Sequence, residues 1–148
     1  MKPALAVIDT NVVVAGLITA SRDSPTARIL DGMLAGRFSF LLSIDLLAEY
    51  RLVLLRPKIK KLHRLSEREI DRLLTEIAAN GKVQEVGPAA AVQTDGPPDP
   101  EDRHLWVLLE ARAGSVLVTG DKALLKNPPK WAKVHTPRVF INELGWQT

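Results

Sequence analysis

The stretch from Ala4 to Asn11 constrains the fold of this chain more than any other. An apolar run ends abruptly in Asp9 and Thr10, and apolar residues resume soon afterwards. A continuous apolar run predicts a strand buried on both faces, as in a parallel sheet. Open α/β sheets bind ligands at the carboxyl ends of their strands, and Asp is also a favoured helix N-cap. Asp9 is therefore either the first residue of a functional site or a helix cap.

Helix and strand signals alternate along the rest of the chain. Further strands are predicted at 38–42, 82–86, 116–118 and 133–135. Helices are predicted at 10–18, 25–35, 44–55, 67–80, from about 100 to 113, 123–125 and 139–144. The alternation predicts an α/β fold with a mainly parallel sheet of about five strands. The connection 87–100, rich in Pro and Ala, is predicted to be a mobile loop.

Composition narrows the class of protein. A chain of 148 residues suits one domain, so we expect residues 1–148 to form a single unit. The absence of Cys excludes disulfides and thiolate metal sites, and it fits a reducing cytoplasm. No apolar run approaches the roughly 20 residues that span a bilayer, so we expect no membrane association. The net charge of +3 is compatible with a nucleic-acid partner.

Acidic residues follow or precede several of these elements. Asp9 and Asp121 each follow a buried strand, so neighbouring strands would bring them into one crevice. Asp99 and Asp102 open the helix that leads into the second of these strands. Glu49 lies on an apolar stripe of its helix, where burial of a carboxylate is costly unless something compensates its charge.

Clustered carboxylates repel one another and stay ionised together only if a cation lies between them. Hard oxygen ligands, with no Cys and no paired His, favour Mg²⁺ or Mn²⁺ over zinc. Divalent ions held at a crevice clamp phosphate oxygens and activate water for attack on phosphorus. The acids therefore predict a phosphate-cleaving metal site.

The segment 51–68 carries seven Lys and Arg residues against one acid. A basic stretch beside an acidic pocket is the arrangement expected of an enzyme that cuts a polyanion. The candidate nucleic-acid-binding residues are Arg51, Arg56, Lys58, Lys60 and Lys61. The same segment is also compatible with a solvated face or with a docking surface for an acidic protein segment. The histidines 63, 104 and 135 show no ligand spacing, and no role is assigned to them.

Four motifs together resemble the PIN-domain ribonucleases, especially the VapC-type toxins of toxin–antitoxin pairs. The resemblance extends from Val7 to about Leu144. Its motifs are Ile8-Asp9-Thr10-Asn11-Val12, Ser43 through Glu49-Tyr50, Asp99-Pro100-Glu101-Asp102 and Leu117-Val118-Thr119-Gly120-Asp121.

The resemblance implies a single Rossmann-like domain of three layers and metal-dependent cleavage of RNA. The family's metal-binding, catalytic acids map onto Asp9, Glu49, Asp102 and Asp121, with Asp99 as an accessory metal ligand. The third acid of the family aligns with either Asp99 or Asp102, and spacing favours Asp102. The resemblance also implies that Thr10, Asn11 and Thr119 position these acids.

The resemblance further implies an RNA substrate, a cognate antitoxin protein and a homodimer. Two other functions stay open at this point. The first is a non-catalytic module of the same fold that binds RNA or protein. The second is an aspartyl phosphohydrolase with Asp9 as nucleophile, although such sites usually have a second Asp two residues later, where this chain has Asn11.

Overall fold

The fold is a five-stranded, all-parallel sheet covered by helices, seen in a computed structural model that describes residues 5–85 and 96–146. The strands are β1 Ala6–Ile8, β2 Phe40–Leu42, β3 Lys82–Val83, β4 Val116–Val118 and β5 Lys133–His135. The described helices are α1 Thr10–Ile18, α2 Pro25–Ala35, α3 Ile44–Leu54, α4 Pro57–His63, α5 Glu67–Asn80, α6 Arg103–Ala111, α7 Lys122–Lys126 and α8 Pro137–Glu143. This confirms the predicted α/β class and the parallel sheet.

Three of the strands form the buried centre of the sheet, because both of their faces are apolar. Every residue of β1, β2 and β4 is buried. Since successive strand residues point to opposite faces, helices must cover both sides of the sheet, which gives three layers. None of the helices in the described parts of the chain is long and apolar enough to cross a bilayer.

The strand order is β3-β2-β1-β4-β5. The chain builds one side of the sheet outward from β1 and then crosses back to place β4 on the other side of β1. The carboxyl ends of β1 and β4 therefore flank the topological switch point, where open α/β sheets bind ligands. Their register pairs Ile8 with Val118.

Helix α3 is tied to the carboxyl end of β1. Ser43 caps the helix by accepting a hydrogen bond from the Leu46 amide at 3.1 Å. The hydroxyl of the fully buried Tyr50 donates to the Ile8 carbonyl at 2.5 Å. This bond anchors α3 beside the end of β1 and brings the preceding residue, Glu49, close to Asp9.

Several element boundaries differ from the sequence predictions. Residues 57–63 form the helix α4, because Pro57 occupies the first helical position, where proline is favoured. Helix α8 begins two residues earlier than predicted, capped by Thr136, and β2 begins at Phe40 rather than Phe38. Most of the predicted mobile loop, 87–100, lies outside the described residues.

Helices α1 and α2 approach closely at Gly16, and this contact gives a stability prediction. A Cβ at Gly16 would lie 2.5 Å from the Thr26 carbonyl oxygen and 3.0 Å from the Leu30 Cβ. We expect Gly16→Ala to force the helices apart and to lower the free energy of unfolding by about 1–3 kcal/mol. Thermal unfolding of Gly16→Ala measures the loss as a fall of about 2–4 °C per kcal/mol.

The control for Gly16→Ala is Gly96→Ala, since a Cβ at Gly96 would meet no atom of the described residues within 4 Å. Equal melting temperatures for the two variants would show that α1 and α2 do not need glycine at their contact.

Candidate active site

The candidate site lies at the switch point, where β1 and β4 end side by side. The Asp9 amide donates to the Val118 carbonyl at 2.9 Å, so the sheet pairing extends to the first acid of the site. Thr119 is fully buried beside it, and Asp121 follows after Gly120. The expected meeting of the two strand ends is therefore observed.

The carboxylate of Asp9 accepts hydrogen bonds on both of its oxygens. Its Oδ1 accepts from the Thr10 amide at 2.8 Å, and Asp9 is the N-cap of α1. Its Oδ2 accepts from the Thr119 hydroxyl at 2.8 Å and from the Asn11 amide group at 3.0 Å. Asp9 is thus both a helix cap and a member of the cleft, so the two interpretations of this residue are compatible.

Burial is the main reason why the pKa of Asp9 is raised. Asp9 is 4% exposed, and loss of water disfavours its charged form. The hydrogen bonds from Thr119 and Thr10 oppose this effect by stabilising the carboxylate, whereas the charges of Glu49 and Asp121 add to it. The net rise in pKa shows that the surroundings of Asp9 disfavour its negative charge when no cation is bound.

Asn11 links the ends of the two strands. Its amide nitrogen donates to the Thr119 hydroxyl at 3.2 Å, and its Oδ1 accepts from the Gly120 amide at 2.9 Å. Thr119 in turn accepts from the Asp121 amide at 3.0 Å. The residues predicted to position the acids therefore contact them directly.

Glu49 is the acid that comes from α3. Its Oε1 accepts a hydrogen bond from the Thr10 hydroxyl, and its Oε2 lies 2.8 Å from His104 Nε2. The apolar stripe expected around it is incomplete, because Leu52 is 64% exposed. The cost of burying the Glu49 carboxylate is therefore offset in part by two side chains, Thr10 of α1 and His104 of α6.

Asp102 and Asp99 occupy different positions at the start of α6. Asp102 lines the cleft, whereas Asp99 caps the single 3-10 turn Pro100–Asp102 and accepts from the Glu101 amide at 3.0 Å. Burial, followed by the charges of nearby acids including Asp9 and Asp99, raises the pKa of Asp102 to about 6. This arrangement favours Asp102 over Asp99 as the acid that faces a ligand.

Asp121 completes the acidic wall. It caps α7 by accepting from the Ala123 amide at 2.8 Å, and it lines the same cleft as Asp9. The cleft has a volume of about 440 Å³. Its described lining comprises Asp9, Thr10, Asn11, Val14, Ala15, Ile18, Glu49, Leu52, Val53, Arg56, Glu101, Asp102 and Asp121.

The donors of this cleft fit Mg²⁺ or Mn²⁺ in type. Within residues 5–85 and 96–146, no three His, Asp or Glu side chains lie close enough together to hold one ion directly. Mg²⁺ usually keeps several waters and takes only one or two carboxylates from a protein. The acids would therefore hold such an ion partly through water.

The predicted nucleic-acid-binding residues divide into three groups. Arg56 lines the acidic cleft. Lys60 and Lys61 line a second cleft of about 540 Å³ between α4 and α5, and Lys58 is exposed nearby on α4. Arg51 is already paired, with Asp71 at 2.8 Å and Glu67 at 2.5 Å. Arg56 is the best placed of the five to meet a ligand of the acids.

Sequence reasoning assigned no role to two residues of this region. Glu101 lines the cleft. Its place in the motif that also contains Asp102 was a signal that could have identified it. His104 contacts Glu49, but the two residues are far apart in the sequence and no spacing links them. Only a contact between α3 and α6 reveals this pair.

Comparison with known protein families gave a match over most of the chain. The family model described as the PIN domain matches residues 5–123, a range that includes all the acids discussed above. The curated proteins and the solved structures gave no significant match.

Proposed function

Since this chain belongs to the PIN-domain family, whose members are generally nucleases, we propose that it is an endoribonuclease dependent on Mg²⁺ or Mn²⁺. One observation carries the proposal. Five carboxylates line a single cleft, and the four assigned to the metal, Asp9, Glu49, Asp102 and Asp121, come from four separate segments of the chain; the fifth is Glu101. Such a concentration of acids is unfavourable without a cation.

The acids of the cleft have distinct tasks in this proposal. Asp9 is held in place by hydrogen bonds to both of its oxygens. Glu49 and Asp121 also have fixed orientations, each through contacts to neighbouring elements. Together with Asp102 they would hold the metal directly or through water. When bound, the metal lowers the pKa of water and balances the charge that develops on phosphate oxygens.

Arg56 supplies positive charge to the same cleft. An Arg guanidinium matches phosphate geometry with two parallel hydrogen bonds. We assign Arg56 to a phosphate of the substrate beside the one that is cut, and Lys58, Lys60 and Lys61 to phosphates farther along the strand. In this assignment the acids would hold the metal that serves the scissile phosphate, while the basic residues would hold its neighbours.

A cleavage assay tests the proposed function. Purified protein is incubated with end-labelled single-stranded RNA, structured RNA and single-stranded DNA, in Mg²⁺, Mn²⁺ or excess chelator. We expect internal cuts in RNA that require the metal and stop on its removal. Activity that persists in chelator, or RNA binding without any cleavage in Mn²⁺, would rule out the proposal.

We also propose that the protein is the toxin of a toxin–antitoxin pair in the cytoplasm and works as a homodimer. The exposed basic helix α4 supports an acidic protein partner as well as RNA. Co-expression with the protein of the adjacent reading frame should suppress RNA cleavage, and light scattering should give twice the chain mass. Unchanged cleavage in the presence of that protein would remove the toxin assignment but leave the nuclease assignment intact.

A further inference from the structure

We propose that His104 is a positioning residue that fixes the carboxylate of Glu49 in the cleft. This inference rests on the proposed function, because Glu49 is one of the acids assigned to the metal. It concerns a contact between α3 and α6 that no sequence motif contains. The role is to hold an acid in place and does not require His104 to gain or lose a proton.

The two oxygens of Glu49 are held from opposite elements. Thr10 on α1 donates to Oε1, and His104 on α6 contacts Oε2 at 2.8 Å. A free Glu side chain has several rotamers, and two donors on separate elements restrict it to one orientation. A carboxylate offers about four acceptor sites, so each oxygen keeps capacity for a cation or its water.

The partner of His104 indicates which of its ring nitrogens carries a hydrogen. An ionised carboxylate only accepts hydrogen bonds, so Nε2 of His104 must carry the hydrogen. The His104 side chain is 15% exposed. Its Nδ1 is buried and has no hydrogen-bond partner among the residues that the structure describes.

Because Nδ1 is unpaired, the contact with Glu49 is the polar contact of the His104 ring within the described residues. Buried polar atoms of protein interiors nearly always have partners, and an exception calls for an explanation. The one nitrogen of His104 that is paired contacts Glu49, which lines the acidic cleft. The position of the imidazole therefore favours the contact with Glu49 over hydrogen bonding of both ring nitrogens.

Two substitutions test the proposal. His104→Ala removes the donor, whereas His104→Gln places an amide N–H near the position of Nε2 and cannot titrate near neutral pH. We expect His104→Ala to weaken Mn²⁺ binding, measured by calorimetry or electron paramagnetic resonance, by about 10- to 100-fold. RNA cleavage should fall by a similar factor. His104→Gln should restore most of both properties.

His135→Ala is the matched control. The His135 side chain is also 15% exposed and also faces a carboxylate, with Nδ1 3.3 Å from Glu143. Unlike Glu49, the partner of His104, Glu143 does not line the cleft. We expect His135→Ala to bind Mn²⁺ and cleave RNA like the wild type. Thermal unfolding of all three variants separates a loss of fold from a loss of positioning.

Each outcome decides between the two proposals. If His104→Ala binds Mn²⁺ and cleaves RNA as the wild type does, the positioning role is wrong and the nuclease assignment stands. If a folded His104→Gln is as impaired as His104→Ala, the hydrogen-bond donor is not what matters, and the proposal fails. If the wild type itself neither binds Mn²⁺ nor cleaves RNA, the proposed function fails and this inference fails with it.

Discussion

Replacing Asp9 by asparagine is expected to lower RNA cleavage by at least about 100-fold while the protein stays folded. Even partners of metal ligands cost about 10- to 100-fold when they are removed, and Asp9 is one of the acids that we assign to the metal itself. The substitution keeps the size of the side chain and the oxygen that caps α1. It removes the negative charge, so the neutral amide would no longer attract a cation.

The assay compares initial cleavage rates in Mn²⁺ for the wild type, Asp9→Asn and Asp23→Asn. Asp23 is exposed in the connection between α1 and α2 and does not line the cleft, so its substitution controls for the loss of one charge. Thermal unfolding verifies that each protein is folded. Wild-type rates in a folded Asp9→Asn would mean that this cleft does not cut RNA.

Magnesium is expected to stabilise the folded protein, and Asp102→Asn is expected to abolish most of this effect. A ligand at 100 times its dissociation constant adds about 2.7 kcal/mol to the free energy of unfolding. For a chain of this size that corresponds to a rise in melting temperature of roughly 5–10 °C. In Asp102→Asn the rise should be much smaller, because one carboxylate of the cleft is lost.

Without metal, Asp102→Asn should instead make the folded protein more stable than the wild type at neutral pH. Burial and neighbouring acids raise the pKa of Asp102 in the folded protein to about 6, above the ordinary value of 3.8. The folded state therefore binds the proton more tightly than the unfolded chain does. The extra stability that this tighter proton binding gives to the folded state is fully present below pH 3.8. It is lost as the pH rises through about 6.

At about pH 7.5 in chelator, Asp102→Asn should consequently melt at a higher temperature than the wild type. At about pH 4 this advantage should shrink, because Asp102 is then largely protonated in the folded wild type. Scanning calorimetry at both pH values, with and without Mg²⁺, measures all four combinations. A variant that is destabilised by the same amount at both pH values would contradict the idea that repulsion among the acids strains this cleft.

Local signals in the sequence predicted much of the fold because they act over few residues. The helix predicted over 67–80 begins with a capping box of Ser66 and Glu69, and both hydrogen bonds of that box are present. The helix predicted over 25–35 ends as expected, with Gly36 in the left-handed conformation at its C-cap. The apolar runs at β1 and β4 are fully buried as expected. Propensity, capping and hydrophobic burial all favour the same elements in these segments.

Local signals failed where one residue type permits two structures. Pro57 ends one helix, but it also suits the first turn of the next, and only the structure reveals α4. Leu52 lies near Glu49 in the sequence of α3, yet it is 64% exposed in the cleft. Which side of α3 is covered depends on its neighbours, so the sequence pattern around Glu49 overstated the buried face.

Strand burial and chain direction are encoded locally, so the residues alone were enough to predict that acids follow buried parallel strands. The packing of distant elements decided which acids share a cleft and what holds them. Asp102 rather than Asp99 lines the cleft, and His104 meets Glu49 across 55 positions of sequence. Such contacts depend on how α3, α6 and the sheet pack, and no short-range pattern specifies the relative positions of elements so far apart in the chain.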